Sequence, residues 1–227
     1  LYRWLNFFKF TALSSFGNVR LKTLLKRFLD PDKIEAGCDE AGRGCLAGPV
    51  CSAAVILPSD FHDPELNDSK QLNIETRERL RMVIENVALA YGVTFIDNLI
   101  IDEINILRAS ILGMHHALDK LTIRPDHIVV DGNKFFRYRD IPHTCVVKGD
   151  AIYTSVAAAS VLAKTYRDEY MKKLHTECDC YGWDMNKGYA TKLHRAAIVS
   201  HGLSIYHRRS FQLFNTQMEI DFKENSL

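Results

Sequence analysis

The chain has 227 residues, 47% of them hydrophobic and 25% charged, and 29 Lys and Arg against 28 Asp and Glu give a formal net charge of +1. These proportions exclude a disordered or fibrous chain and fit one domain with a small appendage. A polyanion would have to be recognised by a local patch, because the field of the whole molecule is close to neutral. No apolar run reaches the roughly 20 residues of a membrane span, and the six cysteines, mostly in apolar runs, read as reduced thiols of a cytoplasmic protein that needs no staples to fold.

Residues 1–33 are basic, aromatic and free of acids until Asp30, without a clean apolar core. They are taken as an N-terminal extension, flexible or non-native, and not as a targeting segment. Apolar, β-branched runs at 34–38 and 50–57 read as buried strands, and GCDEAGRGCLAGP between them as a loop. After the polar run NDSKQLN a helix is expected at 74–86, then a strand at 89–96 and a helix at 101–121 closed by the turn at Pro125. Strands are expected at 127–131 and 144–147. Asp150 stands where an N-cap belongs for a long helix over 151–175, and capping alone would account for it. The aromatic, glycine-rich loop CDCYGWDMNKGYATK leads to a short helix at 193–200 and an RRSF tail. Strands with interleaved helices and a helical end imply an α/β fold over 34–175, with a small helical C-terminal subdomain at 176–227.

Asp39 with Glu40, Asp131 and Asp150 each stand where an element ends or begins, and in α/β sheets ligands bind outside strand ends. Four converging carboxylates repel one another unless a cation lies among them. An all-oxygen set favours Mg²⁺ or Mn²⁺ over Zn²⁺, and two such ions about 3.5 to 4 Å apart hydrolyse phosphodiesters. Taken singly, Asp131 before Gly132 is an ordinary turn pair and Glu40 a solvated acid. On a regular strand Asp39 and Glu40 would point to opposite faces, so Glu40 is expected to lie past the strand or to act indirectly.

DEAGRG, LAGPV, NDSK, VDGN, KGD, SVAAASVLAKTYRD, GYATKLH and HRRSF occur in this order from about Ile34 to Phe211. Together they resemble the ribonuclease HII family. The resemblance implies a ribonuclease H-like fold, a mixed sheet flanked by helices, and an endonuclease that cuts the RNA strand of RNA–DNA hybrids and cleaves 5′ of single ribonucleotides embedded in duplex DNA. It places the metal-binding, catalytic carboxylates on Asp39, Glu40, Asp131 and Asp150. Gly42, Arg43 and Gly44 are then assigned to reading the ribose, since the 2′-OH distinguishes RNA from DNA and absent side chains let backbone approach a sugar. Tyr189 would recognise the ribonucleotide junction beside them. Lys164 and Arg167, three apart on one helix, would contact phosphates; Lys70 and Lys148 are similar candidates, and His194 is read as structural. The expected assembly is a monomer, with no membrane partner.

The chain departs from the commoner family pattern at Cys45 and Ala190, where proline is frequent, and loss of a fixed φ would loosen the loop. No replication-clamp docking peptide is evident in QLFNTQMEIDFKENSL, where Phe214 lacks a second aromatic in QLFNTQ. Two other classes compete: a hybrid-binding protein that has lost catalysis, and a structural Zn²⁺ protein using His175, Cys178 and Cys180, whose spacing is tighter than the usual pair.

Overall fold

Strands β1 (Glu35–Ala41), β2 (Val50–Ile56), β3 (Ala90–Ile96), β4 (His127–Asp131) and β5 (His143–Val146) form one mixed sheet in the order β3-β2-β1-β4-β5. The computed structural model describes residues 24–213 apart from 68, 70 and 71. β1, β2 and β3 are antiparallel neighbours, whereas β4 runs parallel to β1, and β5 to β4. Every residue of β2 is buried, so this central strand is covered on both faces. Its period-two alternation divides the core. Ala54 and Ile56 pack with Ala36, Cys38, Ile128 and Val130 toward helix α3 (Ile106–Asp119) through Met114, Ala117 and Leu118. Cys51, Ala53 and Val55 face helices α1 (Ile74–Val87) and α4 (Thr154–Glu177), through Leu80, Ile84 and the small run Ala157–Ala159.

Small residues let α4 lie close on β1. A Cβ on Gly37 would fall 2.2 Å from the Ser155 carbonyl carbon and 2.4 Å from Val156 N, so only glycine admits the first turn of α4 there. That approach sets the height of everything α4 carries toward the C-terminal end of β1.

Several local expectations are corrected. β1 continues to Ala41, so Asp39 and Glu40 lie within it, paired with Ala53 and Ser52. The helix expected at 101–121 is two helices, α2 (Asn98–Ile104) and α3, because Asn105 takes φ 69° and its side chain accepts from Leu107 N and Arg108 N as the cap of α3. Asp150 does not cap α4: it lies in a 3-10 turn, Gly149–Ala151, while Tyr153 holds the N-cap position. The segment 24–33, expected within a flexible extension, is tied to the core in its described part. Lys26 N donates to Ile152 O and Lys26 O accepts from Thr154 N, while Leu29 N and Asp30 N donate to the buried Glu35 carboxylate. Residues 1–23 and the tail from Phe214 on lie outside the described residues.

The C-terminal piece comprises a 3-10 turn (Asp179–Tyr181) and helices α5 (Trp183–Asn186) and α6 (Lys192–His201). Trp183, Tyr181 and Ile198 pack against Met171 and Leu174 of α4 and against Leu46 and Ala47 of the loop after β1. The RRSF segment, expected as a tail, is anchored in this core: Arg208 and the preceding His207 are buried and Phe211 packs against the cluster, while Arg209 and Ser210 are exposed. No helix among the described residues is long and apolar enough to cross a membrane.

Candidate functional site

Parallel pairing of β1 with β4 sets Cys38 opposite Val130, so the following residues, Asp39 and Asp131, emerge side by side at one sheet end. The chain leaving β5 turns through Lys148, left-handed at φ 59°, into the 3-10 turn that presents Asp150 to the same point. One carboxylate oxygen from each of Asp39, Asp131 and Asp150 lies within 4.8 Å of the others. Backbone donors orient two of them: Glu40 N donates to Asp39 Oδ1 at 2.7 Å, and Gly149 N to Asp131 Oδ1 at 2.8 Å. Burial, then the charges of Glu40 and Asp131, push the Asp39 carboxyl well above the usual carboxylate range. Such a crowded, mostly buried oxygen set is self-repelling when ionised and fits a hard divalent cation.

Glu40 stands apart from this trio. It shares strand parity with Ala36 and Cys38, on the α3 face, and its Oε1 accepts from Arg43 Nη1 at 3.0 Å. The charge of Glu40 adjoins Asp39 and is one cause of that carboxyl's raised proton affinity. His175, Cys178 and Cys180 form no such group among the described residues; His175 instead faces Asp184 at 3.4 Å.

Beside the aspartates, the loop 42–49 is gripped by two arginines whose side chains are fully buried. Arg167 of α4 donates to Pro49 O, Lys187 O and Ala47 O at 2.9, 2.8 and 3.2 Å. Arg208 donates to Gly48 O and Arg43 O at 3.0 and 2.9 Å. Arg167, expected from its helical spacing with Lys164 to contact phosphates, instead turns its guanidinium inward onto carbonyls. Burial pushes the Arg208 guanidinium down to about 10, because its partners are neutral carbonyls.

This clamp separates the two glycines of the GRG stretch. Gly42 has φ +95°, and a Cβ there would sit 1.9 Å from Arg167 Nε, so its glycine is demanded by the packing beneath it. A Cβ on Gly44 would meet nothing within 4 Å, so that side of the loop is open. The constraint that proline would give at position 45 is met otherwise: Cys45 N donates to Gly42 O, and the arginines hold the carbonyls on either side.

Tyr189 adjoins this loop through a bridge to Cys45, with Leu46 N donating to Gly188 O at 2.8 Å. The residue is 39% exposed, and Lys164 Nζ lies 5.5 Å from its ring centroid. Lys164 itself pairs with Asp168 at 2.7 Å. His194 is structural, as expected, and supports Tyr189: its Nδ1–H donates to Tyr189 O at 2.9 Å while its Nε2 accepts from Trp183 Nε1 at 3.0 Å. His207 Nδ1 accepts from Ser204 N, which assigns its proton to Nε2, 3.2 Å from His194 Nε2. Both imidazoles are neutral in this arrangement. Lys148 is exposed beside Asp150, and Lys70 lies outside the described residues. His207 and Arg208 were not among the residues singled out for the site, and the HRRSF motif was the one available signal for them.

A family model described as Ribonuclease HII matches residues 36–214. Ribonuclease HII of Bacteroides thetaiotaomicron is 58% identical over 200 residues, covering 88% of this chain and all of the relative. That of Phocaeicola vulgatus is 59% identical over 201 residues with the same coverage. Among solved structures, the ribonuclease H2 of Pyrococcus horikoshii OT3 superposes with a TM-score of 0.66 at 25% identity, covering 85% of this chain and 99% of that one.

Proposed function

The chain belongs to the ribonuclease HII family, and from that premise we propose that it cuts the RNA strand of RNA–DNA hybrids and cleaves 5′ of single ribonucleotides embedded in duplex DNA. It is an endoribonuclease, a phosphodiester hydrolase. The observation that carries the finer reading is the trio Asp39, Asp131 and Asp150 at one sheet end, set beside a glycine-bounded loop and an accessible tyrosine.

Asp39, Asp131 and Asp150 would hold the divalent cations, Mg²⁺ or Mn²⁺ and two of them during catalysis. Bound there, such ions supply charge neutralisation and a water of lowered pKa for hydrolysis, which leaves a 3′-hydroxyl and a 5′-phosphate. Glu40 adds negative charge next to Asp39 and holds Arg43 at the mouth of the loop. Gly44 leaves its side of the loop open to a ribose, so backbone groups of residues 42–44 can meet a 2′-OH. Tyr189 offers its ring to the sugar at the junction, and Lys164 offers an ammonium to the adjoining phosphate. The C-terminal residues from 176 on thus serve as a substrate-binding piece, in a monomer that removes ribonucleotides during DNA replication and repair.

A DNA duplex carrying one ribonucleotide, incubated beside an all-DNA control with Mg²⁺ and with chelator, tests this directly. Metal-dependent scission 5′ of the ribonucleotide is expected. Tight hybrid binding without cutting, in Mg²⁺ and Mn²⁺ and on long hybrids as well, would instead make the chain a binding protein.

A further inference from the structure

The segment that follows Asp131 carries positive charge that the site described above does not use. Parallel pairing continues one residue past β4, where Gly132 N donates to Val146 O at 3.0 Å, so the chain approaching Lys134 leaves the same sheet end as Lys148 and the aspartates. In the sheet order β3-β2-β1-β4-β5, the loop 42–49 leaves β1 toward β2, whereas the segment 132–142 leaves β4 toward β5. The two therefore flank the aspartates from opposite sides, with Tyr189 bridged to the first through Cys45 and Lys134 on the second.

This segment is pinned to the core, and the pinning sorts its side chains. Phe135 packs inward and meets the rings of His115 and His143, each with a centroid separation of 5.0 Å. Tyr138 is buried, and its hydroxyl donates to Asp119 Oδ1 at 2.7 Å. Between them His115 Nε2–H donates to Phe136 O at 3.2 Å, which fixes the backbone there. Phe136 is left 50% exposed, and Lys134 and Arg137 are exposed as well. The charges divide in the same way. Arg139 pairs with Asp119 at 2.6 Å and Arg124 with Asp140 at 2.7 Å, so those cations are neutralised. Among the described residues no carboxylate pairs with Lys134 or with Arg137, whose Nε donates to the Arg139 carbonyl. An aromatic side chain between two unpaired cations, on a fixed backbone, suits a sugar-phosphate chain: the cations take phosphates without reading sequence, and the ring packs on a sugar.

We propose that Lys134, Phe136 and Arg137 form a second duplex-binding surface, which holds the arm of the substrate on the far side of the aspartates from Tyr189. This rests on the ribonuclease reading of the aspartates and the loop 42–49. Cations on one side alone would leave the other arm of a nucleic acid facing only the negative charge of the centre, and this segment supplies the missing positive charge.

The test is fluorescence anisotropy on the full chain with a labelled DNA duplex carrying one ribonucleotide. Asp39→Asn serves as background so that the probe survives, and denaturation midpoints run in parallel establish that each variant is folded. Lys134→Ala and Arg137→Ala should each weaken binding several-fold and lower the dependence of log affinity on log salt by about one unit. Phe136→Ala should weaken binding with the slope kept, and Arg124→Ala, whose charge is already paired, should change neither. Shortening one arm of the duplex should abolish the difference between the intact segment and the Lys134→Ala, Arg137→Ala double variant, whereas shortening the other arm should preserve it. Unchanged affinity and slope in the folded variants, as for a surface that serves a protein partner, would overturn the proposal while leaving the cleavage reading standing. So would a loss that persists whichever arm is shortened. Failure of the unsubstituted chain to cut the same duplex would overturn the ribonuclease reading itself, and this surface with it.

Discussion

In the cation-free chain, burial and the neighbouring charges of Glu40 and Asp131 raise the proton affinity of Asp39. The linkage sign follows: a raised native pKa gives stability that is complete below the unfolded value, near 4, and lost as pH rises through the native one. At neutral pH the metal-free chain therefore carries a destabilising carboxylate. Asp39→Asn should raise the melting temperature of the metal-free protein, by about 2 to 4 °C per kcal/mol relieved, while abolishing cleavage; a lower melting temperature or surviving activity would refute that role. His207 has the opposite sign. Burial, then the neighbouring His194, push it down to about 4, so its contribution is complete above about pH 6.5 and declines as pH falls toward 4. Unfolding midpoints measured across that window should fall less steeply for His207→Gln than for the unsubstituted chain. Asp39 and Asp131 were legible in the sequence because each ends an apolar β-branched run. His207 was not, because its role depends on His194, a partner that only the fold brings within reach.

At the scale of the element, the loop 42–49 is held by charge buried beneath it. Arg167 and Arg208 contribute a fork of donors that a lysine cannot reproduce. Replacing either by Lys keeps the charge but leaves carbonyls unpaired, a loss on the order of 3 kcal/mol at about 1.5 to 3 kcal/mol per hydrogen bond to a charged group. Chemical denaturation should register it, together with a raised KM for the single-ribonucleotide duplex; an unchanged denaturation midpoint would show that the clamp carries no load. The two glycines give a finer contrast. Gly42→Ala must destabilise, given its positive φ and the 1.9 Å approach to Arg167 Nε, whereas Gly44→Ala should alter stability by no more than about 0.5 kcal/mol. If the open side of Gly44 receives the ribose, Gly44→Ala should still lose most of its cleavage at ribonucleotide junctions, and full activity would remove the sugar from that position. The strands were readable from their apolar runs, and the residues of β4 were identified without error. The break at Asn105 and the 3-10 turn at Asp150 were not, since both depend on left-handed backbone at Asn105 and Lys148, a conformation that local apolar periodicity does not encode.

For the whole molecule, a net charge of +1 and an acidic centre mean that a nucleic acid must be drawn in by charge placed to one side. The described residues offer such a place: Lys164, Lys172 and Lys187, with Arg77, line a cleft of about 220 Å³ that includes Tyr189. Lys187 is partly desolvated, and burial lowers its proton affinity, with repulsion from Lys172 and Lys164 acting against the attraction of Asp168. A phosphate beside these lysines would offset that repulsion and displace condensed counterions, which makes affinity fall with salt by about 0.9 log unit per neutralised phosphate per log unit of salt. Lys33 provides the control, because it precedes β1, at the opposite end of that strand from Asp39, and pairs with Asp30 at 2.8 Å. With Asp131→Asn as background, so that the substrate survives, hybrid affinity measured against salt should lose about one unit of slope in Lys172→Ala or Lys187→Ala. Lys33→Ala should leave the slope unchanged. Equal slopes in all three variants would place the duplex elsewhere on the surface, whereas a loss confined to the cleft lysines would run its backbone past Tyr189 toward the three aspartates.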